Sequence, residues 1–162
     1  MTRRQPGSPT LSRREREALQ LIANGMSTSQ AAAEMKVTTD TVQGYLGHAA
    51  GKLGGMGDRA AAVHRSYVTG ALAPPDAEPA GNLVVTSGQL RVLHGMAEGL
   101  SRQELAAGSG FYTDNVRGEE RALTALLGAK SPAHLITCAW RQGWLGPESA
   151  RGSKSATTPP VA

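Results

Sequence analysis

Cysteine occurs once in these 162 residues, at position 138. A single thiol excludes an intramolecular disulfide and a cysteine-based zinc site. Its setting in an apolar stretch, HLITCAW, predicts a reduced, buried side chain that acts as a small hydrophobe. Aromatic residues are scarce too, at 4% of the chain, while 40% of residues are apolar. A core can therefore be buried, but it must be built from Leu, Val, Met and Ala. No run of about eighteen apolar residues is present to span a bilayer. The N-terminus, MTRRQPGSPT, starts basic but has no apolar segment behind it. Secretion and membrane insertion are disfavoured, and a reducing cytoplasm is expected.

The groups that enzymes need are also missing. His64, His94 and His134 are isolated from one another and form no ligand cluster in the sequence, so no metal is expected. The stretches GKLGGMG (51–57) and GAKS (128–131) have the composition of phosphate loops but not the G-x-x-x-x-G-K-[ST] spacing, and no parallel sheet is predicted to hold them. No paired carboxylates or Ser/His/Asp set can be placed together. The sequence thus predicts no catalytic residues, no cofactor and no small-molecule substrate.

Glycine and basic residues are what the chain does have. Twenty glycines are present, and the net charge is +4. That charge is unevenly placed: residues 1–75 carry nine basic and five acidic side chains, whereas residues 76–162 carry eight of each. Attraction to a polyanion belongs to the first half. The length suits one ordinary domain or two very small ones.

Pro and Gly punctuation divides the chain into a polar arm (1–9), a segment 10–72, a Pro-rich linker (73–82), a segment 83–146 and a Gly/Ser/Thr/Pro tail (147–162). Arm and tail are expected to be disordered. The two segments are one pattern written twice. Leu19, Ala23, Gly25, Ser27, Thr39, Asp40, Val42, Gly44, Leu53 and Gly54 recur 74 residues later as Leu93, Ala97, Gly99, Ser101, Thr113, Asp114, Val116, Gly118, Leu127 and Gly128. With one residue dropped, Gly70, Leu72 and Pro74 recur as Gly143, Leu145 and Pro147. The chain reads as a tandem duplication.

Within the first copy the helix signals are regular. Ser12 stands three residues before Glu15, a capping-box spacing, and opens a helix over about 13–24 with Ala18, Leu19 and Ile22 as its apolar stripe. Ser27 caps a second helix over about 28–35, in which Ala31, Ala32 and Met35 can pack. Thr38 or Thr39 caps a third over about 39–53, with Val42, Leu46, Ala49 and Leu53 on one face. A fourth, over about 59–70, includes Ala62, Val63 and Tyr67. No strand pattern competes. A short second helix, a brief turn and a longer third helix have the proportions of a helix-turn-helix, whose last helix enters the DNA major groove. If the apolar stripe of the third helix faces inward, then Asp40, Gln43, Gly44, Gly47, His48 and Gly51 face outward.

The submotifs TLSRREREALQLIANGMS, TTDTVQGYLGHAAGKLG and DRAAAV resemble the LuxR/GerE-type helix-turn-helix of bacterial transcription regulators across roughly residues 10–72. The second copy resembles the same domain more distantly. The resemblance implies an all-α fold: two tandem four-helix helix-turn-helix domains, the second degenerate, joined by the linker. It also implies that the position of Gln43 reads base edges, assisted by Asp40, Gly44 and His48. The family's usual Lys is here Gln43, which can pair bidentately with adenine. Arg3, Arg4, Arg13, Ser27, Thr28, Thr38 and Lys52 are the candidates for phosphate contacts, which position without specifying sequence. The remaining Arg14-Glu15-Arg16-Glu17 run reads as a mixed-sign solvated face.

The second copy departs further. Glu119 and Glu120 replace Tyr45 and Leu46, so a carboxylate enters the apolar stripe. Arg117 and Arg121 stand at the Gln43 and Gly47 positions and are of the kind that contacts guanine or phosphate. The favoured reading of this copy is packing, dimerisation or partner binding. Trp140 and Trp144 read as core or contact surface; with Tyr67 as their counterpart, they mark where the copies, or two chains, meet.

The expected function is sequence-specific binding of double-stranded DNA in the nucleoid and regulation of transcription. The competing expectation is an interaction module of the same fold that docks on RNA polymerase, a sigma factor or another regulator. A homodimer is compatible with either. The length leaves no room for a receiver, kinase or small-molecule domain, so regulation is expected to come from a partner, from abundance or from the second copy.

Overall fold

The computed structural model describes residues 10–54, 58–78, 81–109 and 113–147. The arm with Arg3 and Arg4, residues 55–57 of the glycine-rich turn and the tail beyond 147 lie outside them. The described residues form eight helices and no strand: α1 (Arg13–Ala23), α2 (Thr28–Met35), α3 (Thr39–Lys52), α4 (Arg59–Thr69), α5 (Ser87–Glu98), α6 (Arg102–Ser109), α7 (Thr113–Leu127) and α8 (Pro132–Gln142). Among the described residues no helix is long and apolar enough to cross a membrane.

Local chemistry sets these boundaries. Ser12 Oγ accepts the Glu15 N–H at 3.1 Å while the Glu15 carboxylate accepts the Ser12 N–H at 2.9 Å, which closes the capping box that opens α1. Ser27 and Gln30 repeat the device at α2, with the same two distances. Of the two threonines before α3, Thr38 is the cap, its Oγ1 accepting the Thr41 N–H at 3.2 Å. Asp58 caps α4 through the N–H groups of Ala60 and Ala61. The end of α2 is less legible: Lys36 takes a left-handed φ of +58° with no glycine to announce it, at a cost of about 1 kcal/mol.

The stripes expected in the first copy are buried: Ala18, Leu19 and Ile22, then Ala31, Ala32 and Met35, then Val42, Leu46, Ala49 and Leu53. Helices α1 and α2 pack on α3, and α6 and α5 pack on α7. One residue leaves its expected place. Glu15, read from the sequence as part of a solvated run, is 5% exposed, and both its oxygens accept from Lys52 Nζ, at 2.8 and 3.0 Å. Burial alone would raise its pKa. The hydrogen bonds from Lys52 and from the Ser12 N–H outweigh that effect and hold the carboxyl below its usual range.

The sequence predicts two domains separated by a linker, whereas the buried side chains form one hydrophobic cluster running through both sets of helices. The two sets meet along α4 and α8, with α5 also lying on α4 and α1 on α8. Seven of the eleven residues of α4 are buried, including three consecutive alanines and Val63, so it is an internal helix. Tyr67 Oη and Thr137 Oγ1 lie 2.9 Å apart, and Trp140 Nε1 donates to His64 Nδ1 at 3.0 Å. The rings of Tyr67 and Trp140 meet edge to face, with centroids 5.3 Å apart. Tyr67 and Trp140, read from the sequence as core or contact surface, thus lie where the two sets of helices meet. Trp144 is half-buried and packs against the same cluster. The chain after α4 is tied down as well, with the Glu78 N–H donating to the Arg141 carbonyl at 2.9 Å and Gln142 Nε2 to the Glu78 carbonyl at 3.1 Å. Cys138 is half-buried rather than buried, and burial pushes its thiol pKa up.

Candidate nucleic-acid interface

Helix α3 has two unlike faces. Its apolar stripe points into the core, and Asp40, Gln43, Gly44, Gly47, His48 and Gly51 are all exposed, as the periodicity predicts. Nothing lies within 4 Å of where a Cβ would stand on Gly44, Gly47 or Gly51. Each glycine inside a helix costs about 1 kcal/mol relative to alanine. No internal contact explains three of them in a row of turns, and the result is a bare strip of backbone beside Gln43 and His48. Asp40 lies in the first turn, where the helix dipole favours its charge.

The described residues among those expected to touch phosphates stand at helix ends. Arg13 is exposed at the start of α1. Ser27 is exposed at the N-terminus of α2, and Thr28 beside it is half-exposed. The Oγ atoms of Ser27 and Thr28 accept from the Gln30 N–H and from Arg59 Nη1, at 3.1 Å in both cases, leaving each hydroxyl proton to donate elsewhere. Thr38 Oγ1 lies 2.8 Å from Thr41 Oγ1 and is exposed. Lys52 closes the far end of α3, with two of its three N–H bonds directed to Glu15.

Two cations were missed by reading the sequence. Arg59, exposed at the start of α4, reaches the N-terminus of α2 through Thr28. Lys36 is exposed in the turn between α2 and α3, the connection of the helix-turn-helix. Neither belongs to a charge cluster, and Arg59 approaches Thr28 across 31 residues, beyond the reach of any local pattern.

In α7, Arg117 and Arg121 are exposed. Glu120, the carboxylate in the apolar stripe, is half-buried, and a single oxygen accepts from Arg102 Nη2 and Nε at 2.8 and 3.0 Å. The salt bridge joins α6 to α7 and resolves the conflict that the sequence raises at this position. Among the described residues no three His, Cys, Asp or Glu side chains are grouped as metal ligands would be.

Residues 9–65 match the family described as bacterial regulatory proteins, luxR family. Over these residues the chain is similar to the LuxR family. The match takes in α1, α2, α3 and the first part of α4, about a third of the chain. No curated protein and no solved structure matches the chain. The match associates this segment with bacterial regulatory proteins, and within it a short α2, a brief turn and a longer α3 follow the order of a helix-turn-helix.

Proposed function

We propose that the protein binds double-stranded DNA sequence-specifically and regulates transcription, with α3 in the major groove. One observation carries the reading: the family match falls on the segment whose third helix turns a polar, unpacked face to solvent. Gln43 reads adenine through its amide, Asp40 and His48 contact neighbouring base edges, and Gly44 lets the backbone approach the groove floor. Arg13, Ser27, Thr28 and Thr38 bind phosphates, Lys52 through the one N–H that Glu15 does not hold, and Arg3 and Arg4 from the arm. The duplicated pattern and the concentration of positive charge in residues 1–75 support this division, in which the second half is a divergent copy of the first.

A second reading rests on the same bare strip. A helix face with three bare glycines also suits a protein partner such as RNA polymerase, a sigma factor or another regulator.

Selection from a random duplex library followed by gel shift separates the two. DNA reading predicts an enriched motif and, for four phosphate contacts, an affinity that falls roughly a hundredfold between about 50 and 200 mM salt. Gln43→Ala should cost about 1–3 kcal/mol of discrimination at one base position. No enrichment and no shift at low salt would transfer the face to a protein partner.

A further inference from the structure

Helices α4 and α8 are counterparts, position for position, 73 residues apart. Asp58 and Ser131 cap them and Gly70 and Gly143 end them, so that Ala61 corresponds to His134, His64 to Thr137 and Tyr67 to Trp140. These counterparts touch crosswise. Tyr67 meets Thr137 at 2.9 Å and Trp140 meets His64 at 3.0 Å, which is the same pair of positions taken once in each direction. Tyr67 stacks on its own counterpart, Trp140. Further out, a Cβ on Gly25 would stand 2.9 Å from His134, and a Cβ on Gly99 would stand 3.3 Å from Ala61. Gly25 and Gly99 are themselves counterparts, so this too is one contact and its exchange. At the level of helices, α4 lies on α5 as α8 lies on α1. Contacts in which i meets j′ and j meets i′ are the mark of a two-fold axis, and here the axis passes between Tyr67 and Trp140.

We propose that α7 is a second DNA reader, and that one chain spans an inverted pair of unequal half-sites. The inference rests on the DNA-reading role of α3. A two-fold axis that carries α4 onto α8 carries α3 onto α7, and a two-fold protein unit can be laid on a local dyad of duplex DNA. The chemistry on α7 fits that place. Arg117 occupies the Gln43 position and Arg121 the Gly47 position, and both are exposed. Arginine pairs bidentately with guanine O6 and N7, as glutamine does with adenine, so the two half-sites differ in sequence. Glu120 does not oppose the DNA, because Arg102 neutralises it. The faces of α4 and α8 are already spent on each other: seven residues of one and six of the other are buried.

The test uses the full chain. A duplex chosen by library selection is footprinted, and the mass of the complex is measured by native mass spectrometry. The expected result is one chain per duplex and two protected, inverted half-sites of different sequence. Arg117→Ala with Arg121→Ala should lose protection over one half-site, keep the other, and weaken binding at least tenfold while the melting temperature stays unchanged. Arg117→Gln should shift the preferred base in that half-site from guanine to adenine. A single protected half-site, wild-type binding by the double variant, or two chains on a palindrome would overturn the proposal while leaving the role of α3 intact. A library from which nothing is enriched overturns the role of α3, and this inference with it.

Discussion

At the scale of single residues, His64 is the most consequential group that one-dimensional reading passes over. In the sequence it is an isolated histidine; in the fold it is 2% exposed and accepts from Trp140, 76 residues away. Since Nδ1 accepts, the proton sits on Nε2, which has no hydrogen-bond partner among the described residues. Burial, reinforced by nearby His94 and Arg65, lowers its pKa to about 4. The unfolded chain takes up this proton near pH 6.5 and the folded chain only near pH 4. Between these values the unfolded state binds more protons, so stability is complete above about pH 6.5 and declines as the pH falls towards 4. The loss attributable to His64 is on the order of 3 kcal/mol. Burial lowers His94 and His134 in the same direction. Urea denaturation from pH 7.5 down to 4.5 should show the decline, and His64→Gln should flatten much of it. A wild-type profile without slope in that window would contradict the buried neutral imidazole. Glu15 was hidden for the same reason as His64, since its partner Lys52 is 37 residues distant.

At the scale of elements, the helices of the first half were legible almost to the residue because their signals are local. A cap, a stripe and a terminal glycine all lie within one or two turns of the boundary they set. Where the local signal fails, as at the left-handed Lys36, the boundary follows from backbone closure: the Val37 N–H reaches the Ala32 carbonyl at 3.0 Å. Two glycines of opposite kind test this account. Gly25 ends α1 at a φ of +97° and faces the His134 ring, so Gly25→Ala combines a forbidden backbone with a clash and should cost about 2 kcal/mol or more. Gly47 is helical and faces open space, so Gly47→Ala should stabilise the fold by about 0.5–1 kcal/mol. Thermal melts of the two variants should move in opposite directions. If Gly47→Ala melts lower than the wild type, the strip on α3 is packed against something and is not free. The functional counterpart of that prediction is weaker DNA binding by the more stable Gly47→Ala protein, since a methyl group is added where the backbone is to approach the groove.

At the scale of the whole molecule, the repeat could be read directly but its packing could not. Both halves announce themselves through matched glycines, caps and leucines, yet the contacts that join them pair residues 70 and 76 positions apart, for which a sequence carries no periodic signal. Only the aromatic residues at the end of each copy hinted at the surface where they meet. The result is one core shared by both sets of helices, of which the first carries the match to bacterial regulators. The central claim is that this molecule reads bases with the exposed face of α3. The measurement that bears on it most directly is library selection with Gln43→Arg beside the wild type. Glutamine and arginine differ in the base edge they pair with, and this position is exposed. The account predicts that one position of the enriched motif changes from adenine to guanine while the rest of the motif stands. An unchanged motif would contradict it.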